Sequence, residues 1–255
     1  MSDAQEHQTR ILSQFTRWAR PFAELPAHAQ PEAMRQSLDA AQIGPDDVVL
    51  DVACGPGLVA CEAAPRARHV TGVDLTPAMI EQAKRRQAEL GLTNLSWDVA
   101  DAYVLPFDDA SFDVVITRYS FHHLLEPGRS LLEMRRVCRP GGRIAVIDCT
   151  PAAEAQDAYN RMERVRDPSH TAALTPGELR ALGQQAALEE FAVDGYRLPV
   201  LLDSLADAET LPELLSIFEA DIAGGEDRLG VGAYRAADGI HFFFPVSIMV
   251  WRKPA

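Results

Sequence analysis

LDVACGPGLVA, residues Leu50 to Ala60, sets the fold and leaves the ligand open. The run Val48-Val49-Leu50-Asp51-Val52 is short, apolar and β-forming, and it ends at glycines. Leu58 to Ala64 then reads as a helix. A strand turning through glycines into a helix is the opening unit of a doubly wound α/β sheet. Gly55, Gly57 and Ala60 fit G-x-G-x-x-G/A, the fingerprint of nicotinamide and flavin sites. Asp51 sits four residues ahead of the first glycine, and a carboxylate there repels a diphosphate and suits a cation. The loop alone therefore admits two kinds of cofactor.

The alternation continues downstream. Strands are expected at His69 to Asp74, Leu95 to Val99, Phe112 to Thr117 and Arg143 to Asp148. Helices are expected from Pro77, after a Thr76 N-cap, to about Leu90, and from Arg129 to Val137, with a turn at Arg139-Pro140-Gly141-Gly142. Strands alternating with helices at this spacing imply a parallel sheet covered on both faces. Past residue 150 the pattern loosens. Ala153 to Arg166 reads as helical, Thr175-Pro176-Gly177-Glu178 as a capping box opening another helix, and Phe191 to Val200 as a sixth strand. Leu205 to Ala223 reads as an inserted helix. Ile240 to Trp251 carries the last strand signal, with Pro245 expected to delay the regular strand to Val246. Helices at Arg10 to Ala23 and Pro31 to Ala41 precede the first strand, with Phe15 and Trp18 offering apolar contact over the mouth of the sheet.

Ligands of open parallel sheets bind beyond the carboxyl ends of the strands. Those ends carry Asp51 to Gly57, then Asp74, then Asp101, then Arg118-Tyr119-Ser120-Phe121-His122-His123. Gly55 and Gly57 let the backbone approach a ligand. Asp74 can accept both hydroxyls of a ribose, and Asp101 can accept from an adenine amino group. Three carboxylates around a glycine loop suit a positively charged nucleoside better than a diphosphate.

VLDVACGPG, VTGVDLTPAMI, ADAYVLPFDDASFDVVITRYSFHHL and LLEMRRVCRPGGRIAVID, in this order, resemble the successive motifs of class I S-adenosylmethionine-dependent methyltransferases. The resemblance is nearest to the branch of ubiquinone/menaquinone-biosynthesis methyltransferases and their small-molecule relatives, and it covers about Asp47 to Asp148. RVRDPSHTAALTPGELRAL, Arg164 to Leu182, resembles a downstream segment of part of that branch. The resemblance implies that Asp51, Ala53, Gly55 and Gly57 hold the methionine portion of S-adenosyl-L-methionine. It further implies that Asp74 takes the ribose with Leu75 and Met79 packing nearby, that Asp101 and Ala102 meet the adenine, and that Arg118 lies beside the methionine part. The implied fold is a Rossmann-like, seven-stranded, mostly parallel sheet with helices on both faces and an antiparallel last strand. Within a single domain it would have an N-terminal helical cap (1–44), a cofactor core (45–150) and a substrate-side portion (151–255) whose helical insertion, with the N-terminal helices, forms a lid. The paired histidines depart from the quinone C-methyltransferases, so their substrate does not carry over.

Histidine is the natural candidate base, because imidazole titrates near neutral pH. His122 and His123 follow the fourth strand, one expected to face the site and the other to support the next helix, and His170 lies in Asp167-Pro168-Ser169-His170 between two helices. Each also has a purely structural reading as a packing or turn residue. Arg161, Arg164 and Arg166 read as a solvated helix face, or as a partner for an anionic substrate; Phe242 to Phe244 read as core or pocket wall.

Composition narrows the partners. The 255 residues carry 24 Lys and Arg against 37 Asp and Glu, a net charge of −13, which leaves no positive footprint for nucleic acid. The polar N-terminus carries no signal-peptide core, and no apolar run is long enough to span a membrane, so a cytoplasmic protein without membrane insertion is expected. Cys54, Cys61, Cys138 and Cys149 lack metal spacing and read as reduced and buried, and no metal is expected. The expected function is methyl transfer from S-adenosyl-L-methionine to an O, N or C atom of a small-molecule acceptor. An NAD(P)-dependent oxidoreductase and a catalytically inactive S-adenosylmethionine-binding module are the alternatives. The oligomeric state, homodimer included, is open.

Overall fold

The computed structural model describes residues 3–24 and 30–255, and the side chains of 5–17 and 30–255. Five strands, β1 (Val48–Val52), β2 (His69–Asp74), β3 (Leu95–Val99), β4 (Phe112–Arg118) and β5 (Cys138–Cys149), run parallel in the order β3-β2-β1-β4-β5. The sheet continues with β8 (Gly239–Arg252), antiparallel between β5 and β6 (Glu189–Leu201), and a short β7 (Tyr234–Ala236) pairs with β8. This is the expected sheet with one added strand. β7 joins β8 through the two-residue loop Ala237-Asp238, closed by the Ala236↔Gly239 pair.

The central strands read as unbroken apolar runs because both of their faces are covered. Val49, Val114, Ile116, Ala145 and Ile147 pack with Leu38 of α2 (Pro31–Ala41), Ala60 of α3 (Leu58–Ala63), Met162 of α6 (Gln156–Arg166) and Phe218 of α8 (Leu211–Gly224). Their strand neighbours Leu50, Val52, Val115, Ile144 and Val146 pack on the other face with Leu131 and Met134 of α5 (Pro127–Val137) and Leu179 of α7 (Pro176–Gln185). The period-2 split between the two clusters is the pleat of the sheet. The capping box forms as expected: Thr175 Oγ1 accepts from Glu178 N, and Glu178 Oε2 accepts from Thr175 N.

Several boundaries move for identifiable reasons. Pro245 does not delay the last strand. Its carbonyl accepts from Thr150 N, and a strand residue directs its N and O to one edge, so the missing N–H falls just beyond the end of β5 and costs no ladder bond. The Arg139–Gly142 turn is absorbed into β5, where the register jumps from Phe112↔Cys138 to Val114↔Arg143 and Gly141 adopts φ 77°. The inserted helix starts at Leu211 rather than Leu205, because the Asp207 carboxylate collects Glu209 N, Thr210 N and Thr210 Oγ1 into a turn ahead of Pro212. The helix expected from Ala153 begins at Gln156. The first helix, α1 (Asp3–Glu24), starts before Arg10, with Phe15 directed at the sheet mouth; the Trp18 side chain lies outside the described residues. Arg166 is not a solvated residue: its guanidinium grips the buried Glu163 carboxylate through two nitrogens. Phe242 and Phe244 are core. All four cysteines are free and buried.

β1 has β2 on one side and β4 on the other, so the chain reverses its winding direction at β1. The crevice beyond the carboxyl ends of β1 and β4 is where the site must form.

Candidate functional site

A cavity of about 320 Å³ opens at that crevice. Its wall carries Asp51, Ala53, Gly55, Asp74, Leu75, Met79, Asp101, Ala102, Arg118 and His123 from the sequence-derived set. α1 closes one side with Gln5, His7, Gln8, Ile11 and Phe15.

The glycine loop is shaped by its own carboxylates. Asp51, 1 % exposed at the end of β1, accepts from Ala60 N (3.0 Å) in the first turn of α3. Asp74, at the end of β2, accepts from Gly55 N (2.9 Å) and from Thr76 N (2.8 Å). Asp74 thus does the work assigned to Thr76: the Thr76 hydroxyl makes no cap, and the Asp74 carboxylate steers both the loop and the start of α4 (Pro77–Glu89). Its Oδ2, which accepts one bond from Gly55 N, keeps a lone pair for a ligand. Ala53 and Gly55 adopt φ 55° and 52°, and a Cβ built on Gly55 would meet nothing within 4 Å, so open space abuts the loop backbone there. Gly57 is different. At φ 78° its missing Cβ would fall 2.7 Å from the Trp97 ring, so it serves packing of loop against sheet and is absent from the cavity wall. Asp101, after β3, folds its own turn by accepting from Tyr103 N (2.9 Å).

Burial sets the charge state of these groups. It pushes the Asp51 carboxyl up to about 8, against the Ala60 amide that favours the anion; the nearby Asp74 adds to the rise and Arg118 opposes it. Burial likewise raises Asp74, countered by the Thr76 and Gly55 amides. Opposite them Arg118, 8 % exposed, donates to the Tyr119 and Tyr196 hydroxyls, which bond each other at 2.7 Å, and its guanidinium lies 4.2 Å from the Tyr119 ring centroid. Tyr119 holds φ 58° at the end of β4, a strained backbone in the site itself. Tyr119 borders Arg118 in the sequence and lay within reach of the strand-end rule; Tyr196 arrives from β6 and carried no signal.

The three histidines separate. His123 reaches the cavity wall, with Phe15 edge-on to its ring at 5.0 Å and its carbonyl accepting from His7 Nε2 at 2.7 Å. His122 turns away from the cavity and pairs with Asp148 at the end of β5: Nδ1 bonds Oδ1 at 2.5 Å, and the His122 amide donates to Oδ2. Burial disfavours the His122 charge, yet the Asp148 carboxylate outweighs it and raises the imidazole above its ordinary value. His170 also lies off the wall, 5.5 Å from the His122 ring. Its Nε2 donates to Asn160 Oδ1 (2.7 Å), and its buried Nδ1 has no partner. Burial, with the His122 and His123 charges, pushes it down to about 2, which keeps it neutral. Asp148 was missed although it ends a parallel strand like the other acids. Among the described residues no cluster of His, Cys, Asp or Glu fits a metal, and no helix is long and apolar enough to cross a membrane.

Comparison with known proteins adds to this geometry. A family model described as a methyltransferase domain matches residues 50–146. The uncharacterised methyltransferase YcgJ of Bacillus subtilis is 29% identical over 192 residues, 74% of this chain and 76% of that protein. The uncharacterised protein Rv1405c of Mycobacterium tuberculosis is 35% identical over 196 residues, 75% of this chain and 69% of that protein. The YcgJ crystal structure superposes with a TM-score of 0.78 at 24% identity, over 88% of this chain and 99% of that one. A geranyl diphosphate methyltransferase in complex with SAM superposes with a TM-score of 0.61 at 19% identity, over 86% and 85%.

Proposed function

This chain belongs to the class I methyltransferase family, and from that premise we propose that it moves the methyl group of S-adenosyl-L-methionine to an oxygen, nitrogen or carbon atom of a small organic acceptor. The observation that carries the reading is the convergence of Asp51, Asp74 and Asp101 with Arg118 on one cavity at the switch point of the sheet. A nicotinamide diphosphate would bring two negative charges to that set. S-adenosylmethionine instead brings a sulfonium, an ammonium and one carboxylate, which the acids and Arg118 complement.

The residues fit the cofactor group by group. The Asp74 carboxylate would take the ribose hydroxyls beside the open Gly55 backbone. Asp101 and Ala102 would face the adenine, with Leu75 and Met79 as apolar wall, and Asp51 and Ala53 would meet the methionine end opposite Arg118. Gly57 supports this set through the Trp97 contact rather than by touching the ligand. When bound, the cofactor supplies an electrophilic methyl group. The chain supplies alignment and exclusion of water, with α1 forming one side of the cavity. The acceptor would enter beside α1 and His123, and the paired histidines there depart from the quinone C-methyltransferases. Net charge −13 argues against a nucleic-acid acceptor.

Calorimetry with S-adenosylmethionine, S-adenosylhomocysteine and NAD tests the reading. The first two are expected to bind and NAD not; binding of NAD alone overturns it.

A further inference from the structure

The segment Asp167-Pro168-Ser169-His170 is folded under His123 and has no part in the cofactor site. Ser169 is fully buried. Its hydroxyl lies 2.6 Å from Asp167 Oδ1, which also accepts from Ser169 N at 2.8 Å, and 3.1 Å from His123 Nδ1. Asp167 is ionised, held at about 2: burial works against its charge, but the neighbouring His123 and Arg166 and the two Ser169 bonds outweigh it. A carboxylate can only accept, so the single hydroxyl proton of Ser169 points to Asp167. Toward His123, Ser169 Oγ can then only accept, and the Ser169 carbonyl, 3.3 Å from the same Nδ1, can only accept as well. The proton must therefore sit on His123 Nδ1. The lone pair is left on Nε2 of a ring that lines the cavity.

We propose that His123 Nε2 is the proton acceptor of the transfer site, and that Asp167 and Ser169 are positioning residues that lock its tautomer, so the acceptor molecule attacks through an atom that must shed a proton: a hydroxyl, an amine, a thiol or an acidic C–H. This rests on the methyltransferase reading above. In the step, the acceptor X–H gives its proton to His123 Nε2 and the X electron pair forms the X–CH₃ bond. The C–S electron pair returns to sulfur, which leaves as a neutral thioether, and the imidazolium releases its proton to solvent. Asp167, two hydrogen bonds away, stabilises that imidazolium.

The groups around His123 keep it ready. His122 of the same turn, paired with Asp148 of β5, stands 4.2 Å away ring to ring; His170 and Arg166 lie beyond it, and His7 of α1 binds the His123 carbonyl. Burial and the His122 charge push His123 down to about 4, against the pull of Asp167. Its lone pair is thus free through the whole neutral range. His122 has its Nδ1 tied to Asp148 and is off the cavity wall, and the His170 lone pair is on a buried Nδ1.

The test needs no acceptor. Long-range ¹H–¹⁵N correlation spectra of the whole protein labelled with [¹⁵N]histidine report the tautomer directly. His123 is expected with Nδ1 protonated and Nε2 bare, titrating near about 4. Ser169→Ala is expected to give a mixture of tautomers, and Asp167→Asn to lower the midpoint. In parallel, diethylpyrocarbonate applied to the wild type with S-adenosylhomocysteine present should acylate His123 before His122 and His170, as read by peptide mass. A wild-type His123 protonated on Nε2, or first acylation at His122 or His170, overturns the proposal without any variant being needed. An unchanged spectrum in a folded Ser169→Ala overturns the positioning role. Calorimetry separates the two levels: no S-adenosylmethionine binding by wild type refutes the methyltransferase reading, whatever the tautomer.

Discussion

Asp51 ties the proposed cofactor site to pH in a way that can be measured. Its carboxyl is buried at the end of β1 and sits at about 8 in the free protein. At pH 7 about nine-tenths of the molecules therefore hold the proton, by the ordinary titration relation. A ligand that brings a sulfonium and an ammonium to this carboxyl favours the anion, so binding must expel the proton. Calorimetry of S-adenosylmethionine binding at pH 7, in buffers of different ionisation heat, should show about 0.9 proton released per site, from the same relation. Asp51→Asn should bind more weakly and release close to none. Tight binding without proton release, or the same release from Asp51→Asn, would refute the reasoning.

The same group predicts stability, and the sign runs opposite to the usual carboxylate. The folded pKa lies above the ordinary aspartate value of 3.8, so the folded chain binds the proton more tightly than the unfolded one. The contribution is fully present below the unfolded pKa and is lost as pH rises toward about 8. Between pH 7 and 9 this amounts to about 1.4 kcal/mol, or roughly 3–6 °C in Tm for a chain of this size. Asn keeps an oxygen for Ala60 N and has no charge to bury. Wild-type protein should therefore lose about that much relative to Asp51→Asn over this interval, measured by calorimetric melting without ligand.

Other expectations are as direct. Asp74→Ala should weaken S-adenosylmethionine binding at least about tenfold by calorimetry, because the proposed charge-assisted bonds to the ribose and the bond that orients Gly55 would be lost together. Gly72→Ala should cost about 1–3 kcal/mol in denaturant midpoint, because its Cβ would stand 2.4 Å from a Trp97 ring carbon, and Trp97→Leu in the same chain should recover part of the loss. His122→Ala leaves the Asp148 carboxylate buried without its partner and should destabilise by about 3–5 kcal/mol. Since the folded pKa of His122 is raised, the stability it contributes is full below its unfolded pKa and should decline as pH rises through the folded value, as chemical denaturation at stepped pH would show.

The convergence of the candidate cofactor residues on one cavity is legible in the sequence because strand ends are local events. Asp51, Asp74 and Arg118 each end an apolar run, and the parallel sheet then brings those ends together whatever the side chains beyond them do. Glycine spacing does not say which side of the backbone is crowded, and at Gly57 the crowded side faces Trp97, forty residues on. The catalytic side was less legible. His122 and His123 are adjacent and chemically alike, and only the positions of Asp148 and Ser169, 26 and 46 residues away, tell them apart. Tyr196 and His7 reach the site from an edge strand and from the first helix, and no periodicity marks them.

The free protein holds its site at a cost, and the cost has a direction. Asp51 is buried largely uncharged and Asp74 is pushed toward neutrality, while Ala53 and Tyr119 keep left-handed backbone that side chains disfavour. None of these features helps the empty fold. Each would be relieved, or put to use, by a ligand that places positive charge between the acids and backbone contacts along the loop. His122 and Asp148 differ, because both oxygens of the buried carboxylate are bonded, by the His122 ring and amide and by Cys149 N. Their bearing on chemistry is indirect: burial and the neighbouring His122 push the second ring down to about 4, while Asp167 behind Ser169 would stabilise the charge in the proposed proton transfer. The unrelieved strain thus lies where the cofactor would bind, and the satisfied pair lies where it can tune the base.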